Sequence, residues 1–545
     1  MDANVTRRDA LKALTALGGG ALAVGLAGCA QPSVPGEGSS ALSETNGNAS
    51  GSSVDWLGSA PEVTKDDCSE TFESDVVVIG SAVAGSMAAL AAQDEGAEVT
   101  VLEKWSSFHY GGFGAAFVNS QYQLDHGMPK YDPQEILTDI NRCLCYRCDA
   151  SLWAAWAFHS GEVLDWLYDK VLKDSGIVIT CKAFGFEDRT TEISPFYDTV
   201  VEIGNPENGD NFREFVQTLH DYLDSNGVQF RFETPAVKLE TDADGRVVGV
   251  IAQNKEGAYE YYGVRKGVVV CTGGFGHDEA MVDEFFSPRI ARFLKEQNWY
   301  NGVMQADKTP EIPLDTGDGH KMLCWVGAQM EEKTHSYNSW PISPLCGVPM
   351  LMVNQAGHRF LNEATSFLNI AHVVAEQPGD SLAYWKIVDQ AALDGELPSS
   401  FNAVLPKGAV DVETESVKAD TLEELAEMID VDPVVLNATV ERYNELCAAG
   451  FDEDYGKLSK YMLPVATPPF HAVKETLVAA VTMGGVKCNG LMEVIDEMGN
   501  PIPGVYAAGN TMGRRFGWSY EASHIGLTNS LAIVHGYFAG KNCAS

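Results

Sequence analysis

Short runs with no polar position, each closed by glycine, set the pattern of the chain beyond residue 74. Val76-Val77-Val78-Ile79 is β-branched throughout and does not alternate, which predicts a strand covered on both faces, as in a parallel sheet. It runs into Gly80-Ser81-Ala82-Val83-Ala84-Gly85. An alanine-rich stretch then predicts a helix to about Asp94, and Ala97 to Leu102 predicts the next strand. The same device recurs at Val268-Val269-Val270-Cys271-Thr272-Gly273-Gly274-Phe275-Gly276 and at Val505-Tyr506-Ala507-Ala508-Gly509-Asn510. Leu382 to Leu397 and Thr421 to Cys447 instead carry helical spacing without such turns. Strand, turn, helix and strand in this order predict an α/β fold.

The first thirty residues follow a different pattern. Arg7-Arg8-Asp9-Ala10-Leu11-Lys12 precedes a mildly apolar run from Ala13 to Ala27 that ends in Leu26-Ala27-Gly28-Cys29. The arginine pair resembles a twin-arginine export signal, although Ala10 stands where a large apolar residue is usual, and the last four residues resemble a bacterial lipobox. Residues 1–29 are therefore expected to be a signal, and 30–71 a flexible linker rich in Ser, Gly, Asn and acidic residues. The protein is then expected on the extracytoplasmic face of a bacterial membrane as a lipoprotein, attached only through a lipid anchor at Cys29. No later run of eighteen or more strongly apolar residues predicts a span.

Charge and cysteine content narrow the classes further. With 545 residues the chain is long enough for two or more domains, and its formal net charge of -39 repels phosphate backbones, so nucleic acid is not an expected partner. Removing Cys29 from the 12 cysteines leaves an odd number, which argues against a complete disulfide framework. Cys143, Cys145 and Cys148 lie close together, but Asp149 stands where attached c-type haem requires histidine. Three thiolates can hold an iron–sulfur cluster with a fourth from elsewhere. Helical spacing through Leu152, Ala155, Trp156 and His159 favours ordinary packing.

A glycine turn that tight at a helix N-terminus offers backbone N–H groups and a positive dipole end to a pyrophosphate. The second strand then delivers Glu103, eighteen residues beyond Gly85, where a ribose hydroxyl is expected. Ala82 occupies the place of the middle glycine.

With the turns at Cys271 to Phe275, Gly317-Asp318-Gly319 and Ala507 to Asn510, the stretch from Ser74 to Lys541 resembles the flavoprotein subunits of the fumarate reductase and succinate dehydrogenase group, which includes flavocytochrome fumarate reductases and 3-ketosteroid dehydrogenases. The resemblance implies a Rossmann-like, discontinuous FAD-binding domain over 72–332 and 482–543, with an inserted α+β capping domain over 333–481 that binds substrate. It implies FAD held by Gly80, Ala82, Ala84, Gly85, Glu103, Lys104, Gly111, Gly112, Val237, Thr272, Gly273, Gly274, Asp318, Gly319, Gly509, Asn510, Thr528 and Asn529. Relatives often have Glu at the position of Asn510. The resemblance also aims the helix that opens at Leu527-Thr528-Asn529-Ser530 at the flavin pyrimidine ring, where its dipole favours the anionic reduced flavin.

Fumarate reduction needs cations for two carboxylates and an arginine that delivers a proton opposite the hydride. The fumarate reductases place that arginine four residues beyond Glu363, where this chain has Phe367. Val481 replaces a histidine, and Ser523, beside His524, replaces a substrate-clamping arginine. The expected activity is hydride transfer from flavin N5 to an activated alkene, such as an enone, enoate or unsaturated lactone, with electrons from a cytochrome or membrane quinol system. The alternative is desaturation of a ketosteroid-like ketone. Tyr520, Tyr337 and His524 are the candidate catalytic residues; Tyr337 ranks above His335, and a packed structural role is favoured for His524. Tyr520 resembles a tyrosine that polarises a carbonyl in ketosteroid dehydrogenases. Arg514 and Arg515 fit a solvated loop, or a contact to an anion or an electron-transfer partner.

Overall fold

The computed structural model describes residues 55–110, 114–181, 197–205, 211–296, 315–333, 337–342, 349–365, 367–379, 382–395, 412–518, 520, 524 and 526–545. The expected export signal and Cys29 lie outside the described residues, as do Gly111, Gly112, His335 and Ser523.

The run without polar positions is a central strand. β1 (Glu70–Ile79) is buried at Val76 to Ile79 and lies parallel between β2 (Val99–Leu102) and β9 (Tyr259–Val270). β2 pairs in parallel with β6 (Gln229–Arg231), and β9 with β16 (Pro501–Ala507). With β15 (Glu493–Ile495) at the edge, the order is β15-β16-β9-β1-β2-β6 in an 8-stranded sheet. The hairpin of β7 (Ala236–Thr241) and β8 (Val247–Gln253) attaches to β9. Ile79 is in register with both Leu102 and Val270, and Ala507 with Val270. The predicted turns therefore leave one edge of the sheet together, which is where α/β sheets bind ligands.

Helix α1 (Val83–Asp94) follows the first turn, and α6 (Leu527–Ala544) closes the chain. A Cβ on Gly536 would stand 2.4 Å from the Ala84 carbonyl oxygen, and one on Gly540 would stand 2.0 Å from that of Ala88. The helices thus meet backbone to backbone, and the matched four-residue steps make them parallel. Beneath them α2 (Ala150–Leu167) buries Trp153 and Trp156. A small antiparallel sheet joins β5 (Val200–Ile203) to β3 (Ala115–Ala116) and β4 (Ile179–Cys181).

A separate antiparallel sheet has the order β10 (Tyr337–Ile342), β14 (Phe470–Thr482), β12 (Ala383–Asp389), β11 (Leu351–Val353), with β13 (Val417–Ala419) also on β14. Its interior holds ions as well as apolar groups. Lys386 lies 3.0 Å from Glu475 with both side chains 0% exposed, and Arg359 bridges Glu363 and Asp452 at 2.8 and 2.7 Å. Lys457 reaches Glu363, the Pro349 carbonyl and the Tyr443 hydroxyl.

Two expectations need correction. Ala383–Asp389 is a strand, not the start of a helix: six of its seven residues are buried, and Lys386 is accommodated by Glu475 across the β12–β14 ladder. The linker expected over 30–71 is shorter on its described side. Trp56 packs edge-on against Phe285 at 5.0 Å, Gly58 accepts from Trp325 Nε1, Val63 accepts from Lys238, and β1 already begins at Glu70.

Gly540→Ala is expected to lower stability by about 1–3 kcal/mol, the usual cost of overpacking, because its methyl meets backbone that has nowhere to move. Urea denaturation checks this, and an unchanged midpoint shows that α1 and α6 tolerate a wider separation.

Candidate cofactor and active site

The cleft at the strand edge encloses about 650 Å³ open to solvent and is lined by Gly80, Ser81, Ala82, Glu103, Lys104, Thr272, Gly273, Asp315 and Asp318, among others. Gly80 has φ 99°, and a Cβ there would meet the Cys271 carbonyl oxygen at 2.3 Å. No bulkier residue allows the first turn to press against the second. Ala82 caps α1 in an extended conformation with no side-chain hydrogen bond, so the N-cap residue leaves the first N–H groups of the helix uncapped. Its φ of -66° suits an L-residue, and its methyl is compatible with the turn.

Glu103 follows β2 into the same cleft. Its Oε2 accepts from the backbone N–H and hydroxyl of Ser81, both at 2.9 Å, and its Oε1 accepts from the Trp105 N–H at 3.0 Å. Lys104 donates to Thr316 at 2.7 Å and pairs with Asp318 at 3.3 Å. Burial pushes His109, also on the cleft wall, down to about 4 against the pull of Asp315, which keeps the imidazole neutral. Val237 falls in a register shift between Ala236 and Lys238, a bulge next to cleft-lining Pro235 and Ala236.

Hydroxyls and one carboxylate join the second turn to its neighbours. Thr511 accepts from the Thr272 N–H at 2.9 Å and donates to the Gly273 carbonyl at 3.2 Å. Asp315 accepts from the Gly274 N–H and Thr482 from the Phe275 N–H, each at 2.9 Å. Gly319 lies against Thr272, whose hydroxyl a Cβ would meet at 2.0 Å. Asp315, Thr482 and Thr511 were not singled out from the sequence, because a single Asp or Thr outside a recognised spacing carries no motif.

The third turn brings the largest correction. Arg515 is 0% exposed, not a solvated loop residue, and donates through Nη2 to Asn510 Oδ1 and through Nε to the Met512 carbonyl, both at 2.9 Å. With its oxygen so engaged, the amide of Asn510 keeps its N–H groups as donors. Glu331, itself buried, accepts from the backbone N–H of Arg514. Burial raises the Glu331 carboxyl to about 8 and lowers Arg515 to about 10.

At the start of α6, Asn529 donates to the Gly114 carbonyl at 3.1 Å, and the Thr528 N–H points to the Tyr520 hydroxyl at 3.3 Å. The Thr528 hydroxyl is buried with no hydrogen-bond partner among the described residues. Tyr520 and Thr528 are thus brought together. His524 is packed: it stacks on Tyr197 at 4.8 Å, meets the Trp156 edge at 5.0 Å and shares a 2.8 Å hydrogen bond with Thr199, while its Nε2 has no hydrogen-bond partner among the described residues. Burial holds it down at about 3, so it stays neutral and carries no proton as imidazolium. Tyr337 lies in a different apolar cluster from Tyr520, with Phe275 and Phe286. Phe367 opens a helix, and Val481 on β14 pairs with Asn338. Cys145 is exposed, Cys148 is buried and donates to Asn141, and among the described residues no group of three His, Cys, Asp or Glu is placed to hold a metal.

A carboxyl raised from 4.5 to about 8 keeps its proton in the folded protein after the unfolded chain has lost it. Its contribution is therefore complete below pH 4.5 and is lost as pH rises to about 8. Glu331→Gln is expected to flatten the decline of stability over that window. Urea midpoints at several pH values check this, and an unchanged slope refutes the assignment to Glu331.

These parts fit an FAD: uncapped N–H groups for its pyrophosphate, Glu103 for a ribose hydroxyl, and amide and hydroxyl donors of the third turn and α6 for the remainder. The FAD binding domain family model matches residues 75–527. Digoxin reductase of Eggerthella lenta is 26% identical over 599 aligned positions, covering 99% of this chain and 97% of that protein. Vinyl phenol reductase of Lactiplantibacillus plantarum is 24% identical, covering 86% and 96%. Among solved structures, the open conformation of a flavocytochrome c3 fumarate reductase matches with a TM-score of 0.61 and 26% identity over 88% of this chain and 79% of that one. The chain belongs to the FAD binding domain family and is an FAD-dependent oxidoreductase.

Proposed function

We propose that the protein reduces an activated C=C bond of an organic substrate other than fumarate, such as an enone, enoate or unsaturated lactone. Electrons would come from a separate cytochrome or membrane quinol system on the extracytoplasmic face. FAD, when bound, supplies the hydride. The observation that carries this reading is the composition of the substrate side: Phe367, Val481 and Ser523 stand where fumarate reduction needs cations and a proton donor, while Tyr520 lies at the α6 N-terminus with its hydroxyl 3.3 Å from the Thr528 N–H. A phenol held by a backbone N–H is a neutral donor suited to a carbonyl oxygen, where charge develops as the conjugated C=C bond accepts hydride. The helix N-terminus adds a positive dipole at the same place. Relatives named for digoxin and a vinyl phenol support an organic alkene as substrate.

Oxidation of a reduced viologen dye by the FAD-loaded protein is expected with cyclohex-2-enone and to be negligible with fumarate. Tyr520→Phe is expected to lower turnover roughly 100-fold, the cost of losing one oxyanion donor, with flavin content unchanged. Fumarate turnover faster than enone turnover overturns the reading.

A further inference from the structure

Helix α5 (Phe367–Ala375) packs on β10, and two polar groups meet in the apolar layer between them. Tyr337 is 3% exposed. Its ring lies 5.2 Å from that of His372, 5.9 Å from Phe286 and 6.5 Å from Phe293. Neither the Tyr337 hydroxyl nor His372 Nε2 has a hydrogen-bond partner among the described residues, although both atoms are shut off from solvent. Each such orphan costs about 1–3 kcal/mol, and native interiors seldom keep one without a use. Here two lie side by side on facing elements, and their tilted rings do not satisfy each other.

Their position ties them to the cofactor cleft. Tyr337 is in register with Thr482, whose hydroxyl accepts from the Phe275 N–H in the second glycine turn. The pair therefore sits one strand away from a turn that lines the FAD site. Phe286 and Phe293 provide an aromatic surround, and Ile370 and Val374 of α5 belong to the same cluster.

We infer that Tyr337 and His372 together anchor an uncharged oxygen of the substrate, a phenol or alcohol hydroxyl or a ketone, on a molecule whose body is apolar. This rests on the alkene-reductase reading and names the substrate class for it; His372 is marked by no motif. The pair suits such a group because a phenol both donates and accepts, while a neutral imidazole nitrogen does either according to its tautomer. Two donors fit a ketone, and a donor with an acceptor fits a hydroxyl. Burial keeps His372 neutral, and the charge that bears on Tyr337 is the negative one of Glu376, so a carboxylate gains nothing there.

Titration of the FAD-loaded protein with p-cresol, cyclohex-2-enone and fumarate, read by flavin difference absorbance, tests the inference with Tyr337→Phe and His372→Phe. The wild type is expected to bind at least one of the first two saturably, each variant to weaken that binding roughly 10-fold, the factor worth one hydrogen bond, and the ligand-free melting temperature of each variant to stay level or rise, since an orphaned polar atom has left the core. Unchanged binding in both variants, no binding of either neutral probe by the wild type, tighter binding of fumarate, or a fall in melting temperature in both variants overturns it. Turnover separates the two readings. If the wild type reduces cyclohex-2-enone with a reduced dye while both variants bind normally, the anchor fails alone; if both probes bind through the pair but no alkene is reduced, the alkene-reductase reading fails.

Discussion

Helices α1 and α6 touch through bare backbone, and the geometry of the cofactor cleft depends on that contact. Ala84 is its centre: its carbonyl lies against Gly536, and its methyl is the atom nearest to where a Cβ on Gly509 would stand, at 3.0 Å. One small residue of the first turn thus sets the distance to the last helix and to the third turn. Because the two helices run parallel, they present their N-termini, and with them two positive dipole ends, in the same direction. Close packing leaves no slack to absorb a methyl there.

The remaining polar ties convert that spacing into a shaped site. Thr511 joins the second turn to the third, Thr482 joins the second turn to the antiparallel sheet, and Arg515 fixes the amide of Asn510. Each tie satisfies a backbone or amide group that would otherwise be buried alone, so it orients the site while meeting an obligatory hydrogen bond. Arg515 gains its place at the expense of full desolvation, which is why its guanidinium and the Glu331 carboxyl lie in one buried neighbourhood and shift toward neutrality together.

Legibility in the sequence followed locality. Val76 to Ile79, the Gly80 turn and Glu103 were readable because strand, turn and helix dictate one another over a few residues. Ala383–Asp389 was misread because burial on both sides erases the alternation that marks a strand, and its lysine mimics the polar face of a helix. The burial of Arg515 was hidden because the groups that cover it beyond Asn510 and Met512, among them Trp153 and Glu331, come from segments far away in the chain. Asn510, where relatives often have Glu, commits its oxygen to Arg515, a contact that no local motif marks. For His524 a packed role was already favoured, but its neighbours Tyr197 and Trp156 were not legible because they lie hundreds of residues away.

The same accounting of buried charge bears on the substrate. A dicarboxylate needs cations whose charge is still available, since each carboxylate taken from water must regain its solvation from the site. The buried cations Arg359, Lys386, Lys457, Lys487 and Arg515 each already have an acceptor within the protein: Glu363 and Asp452, Glu475, Glu363, Glu332, and the Asn510 oxygen respectively. Releasing Arg359, Lys386 or Lys457 would leave a buried carboxylate unpaired, at a cost of several kcal/mol. Among the described histidines, His109, His320, His372, His524 and His535 are held neutral by desolvation, and His220 is lowered by the same cause. On the proposed reading, the neutral donors and aromatic surface of the described residues suit a ring bearing an oxygen better than these committed buried cations suit a pair of carboxylates.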